Sequence, residues 1–313
     1  MTRIFVDGEY GTTGLKLIRL LRETAQFELI SLSERERKSA QARRLALNSC
    51  DIAVLCLPDD AAIEAVAMVE NPEVKILDAS VAHRTAMGWC YGFPELTSGQ
   101  AERIAAARRV TNPGCFATGI LSLVRPLRDA GLLMPDQSLC INAVSGYTGG
   151  GRKLIEAFED PAAEDRIDSR FFMYGLNLQH KHLPEVTKHG NLLQAPLFIP
   201  SVGKYRQGML VCLPLPVSML RLSSDQGPLN TVLSVFQEHY ADCDGVSVRT
   251  ESDGGRLDPE ALNNTNMLEI FILSDPRTRQ LLLVARLDNL GKGSSGAAMR
   301  NLELMSGVAW VSG

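Results

Sequence analysis

The chain of 313 residues is 45% hydrophobic and 22% charged, with a formal net charge of −4 at pH 7, which is typical of a globular protein of about two domains. No strongly basic patch stands out, which argues against nucleic acid as a partner, and no apolar run reaches the ~18 residues of a transmembrane helix. The N-terminal residues lack the apolar stretch of a signal peptide, so we expect no membrane association and a cytoplasmic protein.

The first predicted strand ends in a glycine-rich turn. Residues 3–7 form a short apolar run that predicts a buried strand, and residues 15–21 carry apolar side chains at helical spacing. Glycines let the backbone approach a pyrophosphate, and a helix N-terminus offers free N–H groups to it. The strand–turn–helix order therefore predicts a dinucleotide site. Its candidate residues are Gly8, Tyr10, Gly11, Thr12, Thr13 and Gly14.

The stretch after the second predicted strand, residues 27–31, distinguishes the two nicotinamide cofactors. A carboxylate at the end of this strand would bind a ribose hydroxyl and favour NAD. Here the hydroxyl of Ser33 stands beside the cations Arg35 and Arg37, and such groups bind the 2′-phosphate of NADP. The sequence therefore favours NADP, while Glu34 keeps NAD open.

Two further buried strands are predicted at residues 51–57 and 74–78, and a helical pattern at residues 61–69 separates them. Strands that alternate with helices predict a Rossmann-like, doubly wound parallel sheet. Ligands of such sheets lie beyond the carboxyl ends of the strands. We therefore expect Pro58 and Ser80, which follow these two strands, to line the cofactor site.

One of the seven cysteines stands out by its position. Cys115 follows Asn-Pro-Gly and precedes a helical apolar face at residues 120–127. A helix N-terminus favours the thiolate, and its N–H groups stabilise a developing oxyanion. We therefore predict that Cys115 is a nucleophile, with a buried structural cysteine as the alternative. The sequence has no Cys-x-x-Cys pair, and no metal is expected.

The second half of the chain changes character from about residue 137. Short apolar runs punctuated by proline and glycine predict an α+β catalytic domain with a mixed or mostly antiparallel sheet. Residues 229–240 are predicted to form a helix within this domain.

The acid–base partner of the thiol is expected among the five histidines. His180 and His182 flank a lysine, and in an extended segment both would face the same way. A histidine pKa suits proton transfer near neutral pH. We favour His182 as the acid–base and place His180 second. Glu185 is a candidate for orienting a histidine.

Taken together, five motifs resemble the N-acetyl-gamma-glutamyl-phosphate reductase family in its shorter form, a family related to the aspartate-semialdehyde dehydrogenases. The resemblance spans the chain from about residue 4 to about residue 304. Its motifs are the glycine turn at 8–14, Asn-Pro-Gly-Cys115, the glycine-rich loop at 143–152, the histidine segment at 180–185 and the stretch 288–293.

The resemblance implies an activity: NADPH reduces N-acetyl-glutamyl phosphate to the semialdehyde in arginine biosynthesis, and phosphate is released. Cys115 matches the family nucleophile, which holds the acyl group as a thioester. The family also implies a homodimer or homotetramer. The domains would then be an NADP-binding domain at 1–115, a catalytic and oligomerisation domain at 116–287, and a C-terminal helix at 288–313 that returns to the first domain.

Further site residues follow from the same resemblance. The glycine-rich loop and the histidine segment imply substrate contacts, and the stretch 288–293 implies contacts with the nicotinamide. The expected substrate ligands in these motifs are Ser145, Gly146, Arg152 and Glu185, and Arg152 is a candidate for binding a carboxylate or phosphate. Apart from the resemblance, Arg84 and Asn112 are further candidates for binding the substrate phosphate. The expected cofactor contacts of the last stretch are Asn289, Gly291 and Lys292.

Two alternatives remain open on the sequence. One is a reductase of the same plan that acts on aspartyl or aminoadipyl phosphate. The other is a nucleotide-binding regulator in which Cys115 is only structural.

Overall fold

The computed structural model describes residues 1–24, 26–222 and 227–308, and its internal contacts divide the chain into two compact units. The first unit comprises residues 1–94, 99–113 and the chain from Ser294 onward, and the second comprises residues 95–98 and 114–293. These limits differ from those drawn on the sequence, because Cys115 and residues 288–293 group with the second unit. Residues 309–313 of the expected C-terminal segment lie outside the described residues.

The first unit is an alternation of strands and helices. Its elements are β1 (Thr2–Asp7), α1 (Thr12–Glu23), β2 (Phe27–Ile30), α2 (Ala40–Ser49), β3 (Ile52–Leu55), α3 (Asp59–Met68), β4 (Lys75–Asp78), β5 (Cys90–Tyr91), α4 (Gln100–Ala106) and β6 (Arg109–Thr111), followed by the final helix (Gly296–Ser306). Within the described residues the strands form one parallel sheet in the order β2-β1-β3-β4-β6-β5. The predicted doubly wound parallel sheet is confirmed.

Both faces of this sheet are covered, which explains why β3 reads as an uninterrupted apolar run with every residue buried. One core cluster joins the sheet to Leu17 and Leu21 of α1 and to Leu302 of the final helix. The cluster on the other face joins it to Leu47 of α2 and Ala62 of α3. The final helix is thus part of the core of the first unit.

The second unit is built around a mixed sheet. Its elements are α5 (Cys115–Asp129), β7 (Cys140–Gly146), α6 (Gly151–Glu159), β8 (Phe171–Met173), α7 (Leu183–His189), β9 (Leu197–Gly203), β10 (Met209–Pro216), α8 (Pro228–His239), β11 (Val246–Arg249), β12 (Leu268–Asp275) and β13 (Gln280–Leu287). In the described part of the chain the strand order is β11-β12-β13-β10-β7-β9-β8. The pairs β11/β12 and β7/β9 are parallel and the other pairs are antiparallel, so the expected mixed sheet is confirmed. The expected helix at residues 229–240 is α8.

The two faces of this sheet differ in their cover. Helix α5 packs on one face so closely that a Cβ on Gly119 would lie 2.6 Å from Cγ2 of Val211, which explains the glycine within this apolar helix. Residues of β10 alternate between faces, and on the other face Leu210 and Cys212 are half-buried and Pro214 is exposed. Among the described residues, no helix combines the length and the apolar character needed to cross a membrane.

Candidate active site

The glycine turn after β1 has the geometry of a phosphate-binding turn. Gly8 has a φ of +90°, and a Cβ there would lie 2.3 Å from the carbonyl oxygen of Cys56. A Cβ on Gly14 would lie 2.4 Å from the carbonyl oxygen of Gly8. Gly11 is the N-cap of α1 and has no side chain that could bond to the free N–H groups of the helix. The first turn of α1 also has no acidic residue that would repel a phosphate. The residues present therefore fit a dinucleotide phosphate.

One cation from the stretch after β2 contacts this turn. The guanidinium carbon of Arg37 lies 3.7 Å from the centre of the Tyr10 ring, and its Nη2 donates to Oε1 of Glu34 at 3.0 Å. Arg35 and Ser33 are exposed beside this pair. Because the carboxylate of Glu34 is bound by Arg37, the group that kept NAD open is neutralised locally. The arrangement fits the 2′-phosphate of NADP.

The other expected cofactor residues of the first unit lie at helix and strand ends. Thr12 begins α1, and Oγ1 of its neighbour Thr13 is 2.9 Å from Oγ of Ser294. Pro58 is the N-cap of α3, at the carboxyl end of β3. Ser80 follows β4, and its N–H and hydroxyl both donate to the carboxylate of Asp78 (2.9 and 2.8 Å).

Asp78 was not among the site residues predicted from the sequence. A carboxylate at the end of a buried apolar strand could have indicated it, because such a group needs a polar partner. It is fully buried, and its Oδ2 lies 2.6 Å from Nδ1 of His83. The ring of His83 stacks on Trp89 with 4.2 Å between the ring centres. Asp78 thus fixes both Ser80 and His83.

Arg84 and Asn112 are both buried within the first unit. Nε of Arg84 donates to the carbonyl oxygen of Asn112 at 3.0 Å. The side chain of Asn112 donates to the carbonyl oxygen of Ser294 at 2.9 Å and accepts from Nδ2 of Asn301 at 3.0 Å. These bonds fasten the returning chain to the sheet, and the expected phosphate contacts of both residues stay predictions.

Cys115 is the first residue of α5, as predicted. The preceding residue, Gly114, donates its backbone N–H to Oε2 of Glu185 at 3.2 Å, and Glu185 is only 1% exposed. Gly293 packs against the nucleophile candidate so closely that a Cβ there would lie 2.7 Å from the Cβ of Cys115. Gly293 was missed in the sequence analysis, where it stood only as the end of a motif.

His180 and His182 are both buried and both contact the ring of Phe116, the residue after Cys115, with ring centres 5.8 and 6.2 Å apart. Their segment is a turn and not a strand, yet Lys181 between them is exposed as an extended segment would have it. The backbone N–H of His182 donates to Nδ1 of His180 at 3.1 Å. This places the histidine pair beside the start of α5.

Burial, and to a lesser extent the charge of Lys181, lowers the pKa of His180 from 6.5 to about 4. His180 is therefore neutral at pH 7. Because its Nδ1 accepts a hydrogen bond, its proton is on Nε2, which lies 3.2 Å from the hydroxyl of Tyr174. Burial, and to a lesser extent the negative charge of the Cys115 thiolate, raises the pKa of Tyr174 well above its usual range.

A cavity of about 570 Å³ opens in the second unit beside this histidine. Its wall includes Ser145 and Gly146, which were expected to bind substrate, and His180. It also includes Lys153, Tyr174 and Gln179, which the sequence analysis missed. Arg152 is instead 79% exposed and its Nε donates to Oε1 of Glu156 at 2.6 Å.

The expected nicotinamide contacts of the second unit are bound to, or packed against, residues from distant parts of the same unit. The side-chain amide of Asn289 accepts from the N–H of Gly208 at 2.8 Å and donates to Oγ1 of Thr148 at 3.0 Å. Nζ of Lys292 lies 2.5 Å from Oε1 of Glu95, and both side chains are buried. A Cβ on Gly291 would lie 2.1 Å from the carbonyl oxygen of Thr265. Their contacts with the cofactor stay predictions.

Comparison with known proteins defines the class of this fold and site. Residues 3–106 match the family model "Semialdehyde dehydrogenase, NAD binding domain", and residues 115–289 match "Semialdehyde dehydrogenase, dimerisation domain". The solved structure of aspartate semialdehyde dehydrogenase II from Vibrio cholerae, in complex with ASA, superimposes with a TM-score of 0.71 at 14% identity and covers 99% of both chains. The aspartate semialdehyde dehydrogenase of Francisella tularensis gives 0.72 at 13% identity, over 98% of this chain and 100% of that one. The protein is thus an oxidoreductase of the semialdehyde dehydrogenase class.

The curated relatives define the family within that class. N-acetyl-gamma-glutamyl-phosphate reductase of Burkholderia orbicola is 48% identical over 308 residues, which cover 97% of each chain. The reductase of the same name from Trichormus variabilis is 47% identical over 312 residues, which cover 98% of this chain and 97% of the relative. The chain therefore belongs to the N-acetyl-gamma-glutamyl-phosphate reductase family.

Proposed function

We propose that this chain reduces N-acetyl-L-glutamyl 5-phosphate to N-acetyl-L-glutamate 5-semialdehyde with NADPH, as a step of arginine biosynthesis. The observation that carries the proposal is the position of Cys115 at the first residue of α5, next to the Phe116 ring that contacts both His180 and His182. Covalent catalysis of acyl transfer needs such a nucleophile with a base in reach.

The first step is acyl transfer to sulfur. The thiolate of Cys115 attacks the acyl carbon, a C–S bond forms, and the C–O bond to phosphate breaks with its electron pair leaving on the phosphate. The start of α5 favours the thiolate and offers N–H groups to the tetrahedral oxyanion. The product is a thioester, which accepts a hydride where a carboxylate does not. When bound, NADPH supplies that hydride.

The two histidines have different roles: His182 transfers the proton, and His180 positions His182. His182 takes the proton of the thiol and returns it to an oxygen of the reacting group. His180 stays neutral because its pKa is lowered to about 4, and it holds the backbone N–H of His182 through Nδ1. Glu185 acts on the nucleophile side, where it holds Gly114 and with it the start of α5.

The chain's own residues divide between the cofactor and the substrate. We propose that the glycine turn and the start of α1 bind the pyrophosphate, that Ser33 and Arg35 bind the 2′-phosphate, and that Ser145 and Gly146 bind the acyl substrate. The remaining proposed cofactor contacts are Tyr10, Pro58, Ser80, Asn289, Gly291 and Lys292. Arg84 and Asn112 are proposed at the substrate phosphate.

We further propose a cytoplasmic homodimer or homotetramer. In the second unit, the sheet face opposite α5 carries apolar side chains that are half-buried or exposed on neighbouring strands, such as Val144, Leu210, Pro214 and Leu282. A second copy packed on this face would bury them. The name of the family model that matches this part of the chain, a dimerisation domain, supports the same assignment.

A substrate panel tests the activity. The purified chain should oxidise NADPH with N-acetyl-glutamyl phosphate and far more slowly with aspartyl or aminoadipyl phosphate. Cys115→Ser should lower turnover by about a thousandfold or more, whereas Cys243→Ser, which changes a half-buried cysteine elsewhere in the same unit, should retain it. Preference for another acyl phosphate, or turnover that survives Cys115→Ser, would contradict the proposal. Binding of NADPH without any turnover would favour a regulator.

A further inference from the structure

Two adjacent cations on helix α6 differ in their surroundings. Arg152 is paired with Glu156 one turn along the helix and is 79% exposed. Lys153 is also exposed, but it lines the cavity of about 570 Å³ together with Ala157, one turn further on, which is buried. Helical spacing places residues four apart on one face. Arg152 therefore lies on a different face of α6, where it pairs with Glu156. Of the two cations, Lys153 is the one that can contact a ligand in the cavity.

The charge of the cavity wall favours an anion. Its charged side chains are Lys153, Lys181 and Asp165, and His180 adds none at pH 7 because its pKa is lowered to about 4. The wall therefore carries one net positive charge. Within the described residues Lys153 has no ion-pair partner, in contrast to the buried Lys292.

The rest of the wall suits a short aliphatic chain. Apolar side chains from several elements line it: Phe116, Leu154, Ala157, Ile167, Phe172 and Val202. A pocket of this kind buries methylene groups, and a few polar groups then fix the orientation of the ligand. Gln179 and Ser145 supply further hydrogen-bonding groups.

We propose that the ammonium group of Lys153 binds the α-carboxylate of the acyl substrate and so selects an N-acyl amino acid; this rests on the proposed function. The reacting end of the substrate belongs with Cys115 and the histidine pair, on α5 and the 180–182 turn. Its phosphate is attached there and leaves from there. Lys153 stands on another element of the wall, α6, and therefore suits the anionic group at the opposite end of the substrate.

The reverse reaction separates the two anions, because aldehyde and phosphate are then independent substrates. The enzyme is assayed with N-acetylglutamate semialdehyde, phosphate and NADP, and NADPH formation is followed. Lys153→Gln should raise the KM for the aldehyde about tenfold to a hundredfold, as expected for the loss of a charged hydrogen bond, and leave the KM for phosphate unchanged. Lys153→Arg should restore part of the loss. Arg166→Gln, which removes a surface cation paired with Asp168, should change neither value.

A substrate without the carboxylate completes the test. The wild-type chain should use 4-acetamidobutanal poorly, and Lys153→Gln should not lower kcat/KM for it further, because the interaction is already absent. A further loss with this aldehyde, or a raised KM for phosphate, overturns the proposal. So does a raised aldehyde KM in Arg152→Gln with none in Lys153→Gln.

Circular dichroism and thermal melting of each variant exclude misfolding as the cause of a loss. A wild-type chain that does not turn over the N-acetylated aldehyde at all overturns the proposed function and this inference with it. A normally active wild type with an unchanged Lys153→Gln variant overturns the inference alone.

Discussion

The carboxylate of Glu185 accepts a hydrogen bond from the backbone N–H of Gly114, the residue that precedes Cys115. Glu185 lies in the first turn of α7, and the N-cap residue of that helix is His182. One bond therefore joins the start of α5, which carries the proposed nucleophile, to the start of α7, whose N-cap residue is the proposed acid–base. We expect this contact to help fix the relative position of the sulfur and the imidazole.

Replacement of Glu185 should loosen that arrangement. Glu185→Ala leaves the buried N–H of Gly114 without this acceptor. We expect the free energy of unfolding, measured in urea, to fall by about 1–3 kcal/mol. We also expect iodoacetamide to alkylate Cys115 more slowly. Glu185→Gln keeps a carbonyl acceptor and should lose much less of both. Equal stability and equal alkylation rates in Glu185→Ala and the wild type would show that the contact has no such role.

Stability should depend on pH through His180. Its pKa is lowered from 6.5 to about 4 in the folded chain, so the unfolded chain binds the extra proton between these values. The stability is therefore complete above pH 6.5 and is lost as the pH falls toward 4, by up to about 3 kcal/mol.

Burial also lowers the pKa of His239, so this residue contributes to the pH dependence of the wild type as well. The effect of His180 is therefore measured as the difference between the wild type and a variant at position 180. His180→Asn keeps an acceptor for the N–H of His182 but does not titrate in this range. Its urea-unfolding free energy should fall less steeply between pH 6.5 and 4 than that of the wild type. Parallel curves would contradict the assignment.

Cofactor preference should depend on the cations after β2. Arg35→Ala should lower the ratio of kcat/KM for NADPH over NADH by about tenfold to a hundredfold, because it removes a charged contact to the 2′-phosphate. Arg37→Ala should also lower the ratio, because it frees the carboxylate of Glu34, which Arg37 binds in the folded chain. Arg44→Ala is the matched control, since Arg44 is an exposed cation on α2 that pairs with Glu70. An unchanged ratio in both test variants would place the 2′-phosphate elsewhere.

The open sheet face should govern assembly. Leu210 is half-buried on this face, where its register partner on β13 is Arg286 and its partner on β7 is Val144. Leu210→Lys places an additional positive charge beside Val144 and the buried cation Arg286 and should shift sedimentation toward the monomer. Leu193→Lys, at a leucine that is 75% exposed outside the sheet, should sediment as the wild type does. Two indistinguishable sedimentation profiles would rule out this face as the interface.

The parts of the fold that depend on local pattern were predictable from the sequence. The alternation of apolar runs with helical spacing predicts the parallel sheet, and the apolar face that follows Cys115 places this residue at a helix start. Both outcomes depend on residues that are near one another in the chain. His180 and His182 were expected to face the same way in an extended segment. Both are buried and Lys181 between them is exposed, although the segment is a turn.

Long-range pairs were not predictable in this way. Lys292 carries a charge within a glycine-rich stretch, which indicates a ligand contact, yet it pairs with Glu95, 197 residues away. Arg152 and Lys153 are equivalent as neighbouring cations after a glycine-rich loop. Only the register of α6 shows that one pairs with Glu156 and the other lines the cavity. Such choices depend on tertiary packing, which a single sequence does not encode locally.

We expect Cys115 to carry the acyl group as a thioester during turnover. Rapid mixing of the chain with N-acetyl-glutamyl phosphate in the absence of NADPH, followed by phosphate detection and peptide mass spectrometry, tests it directly. We predict a burst of about one phosphate per active chain and an acyl adduct on the peptide that contains Cys115, with neither in Cys115→Ser. No burst in an enzyme that turns over with NADPH, or an adduct on another residue, would show that Cys115 does not carry the acyl group.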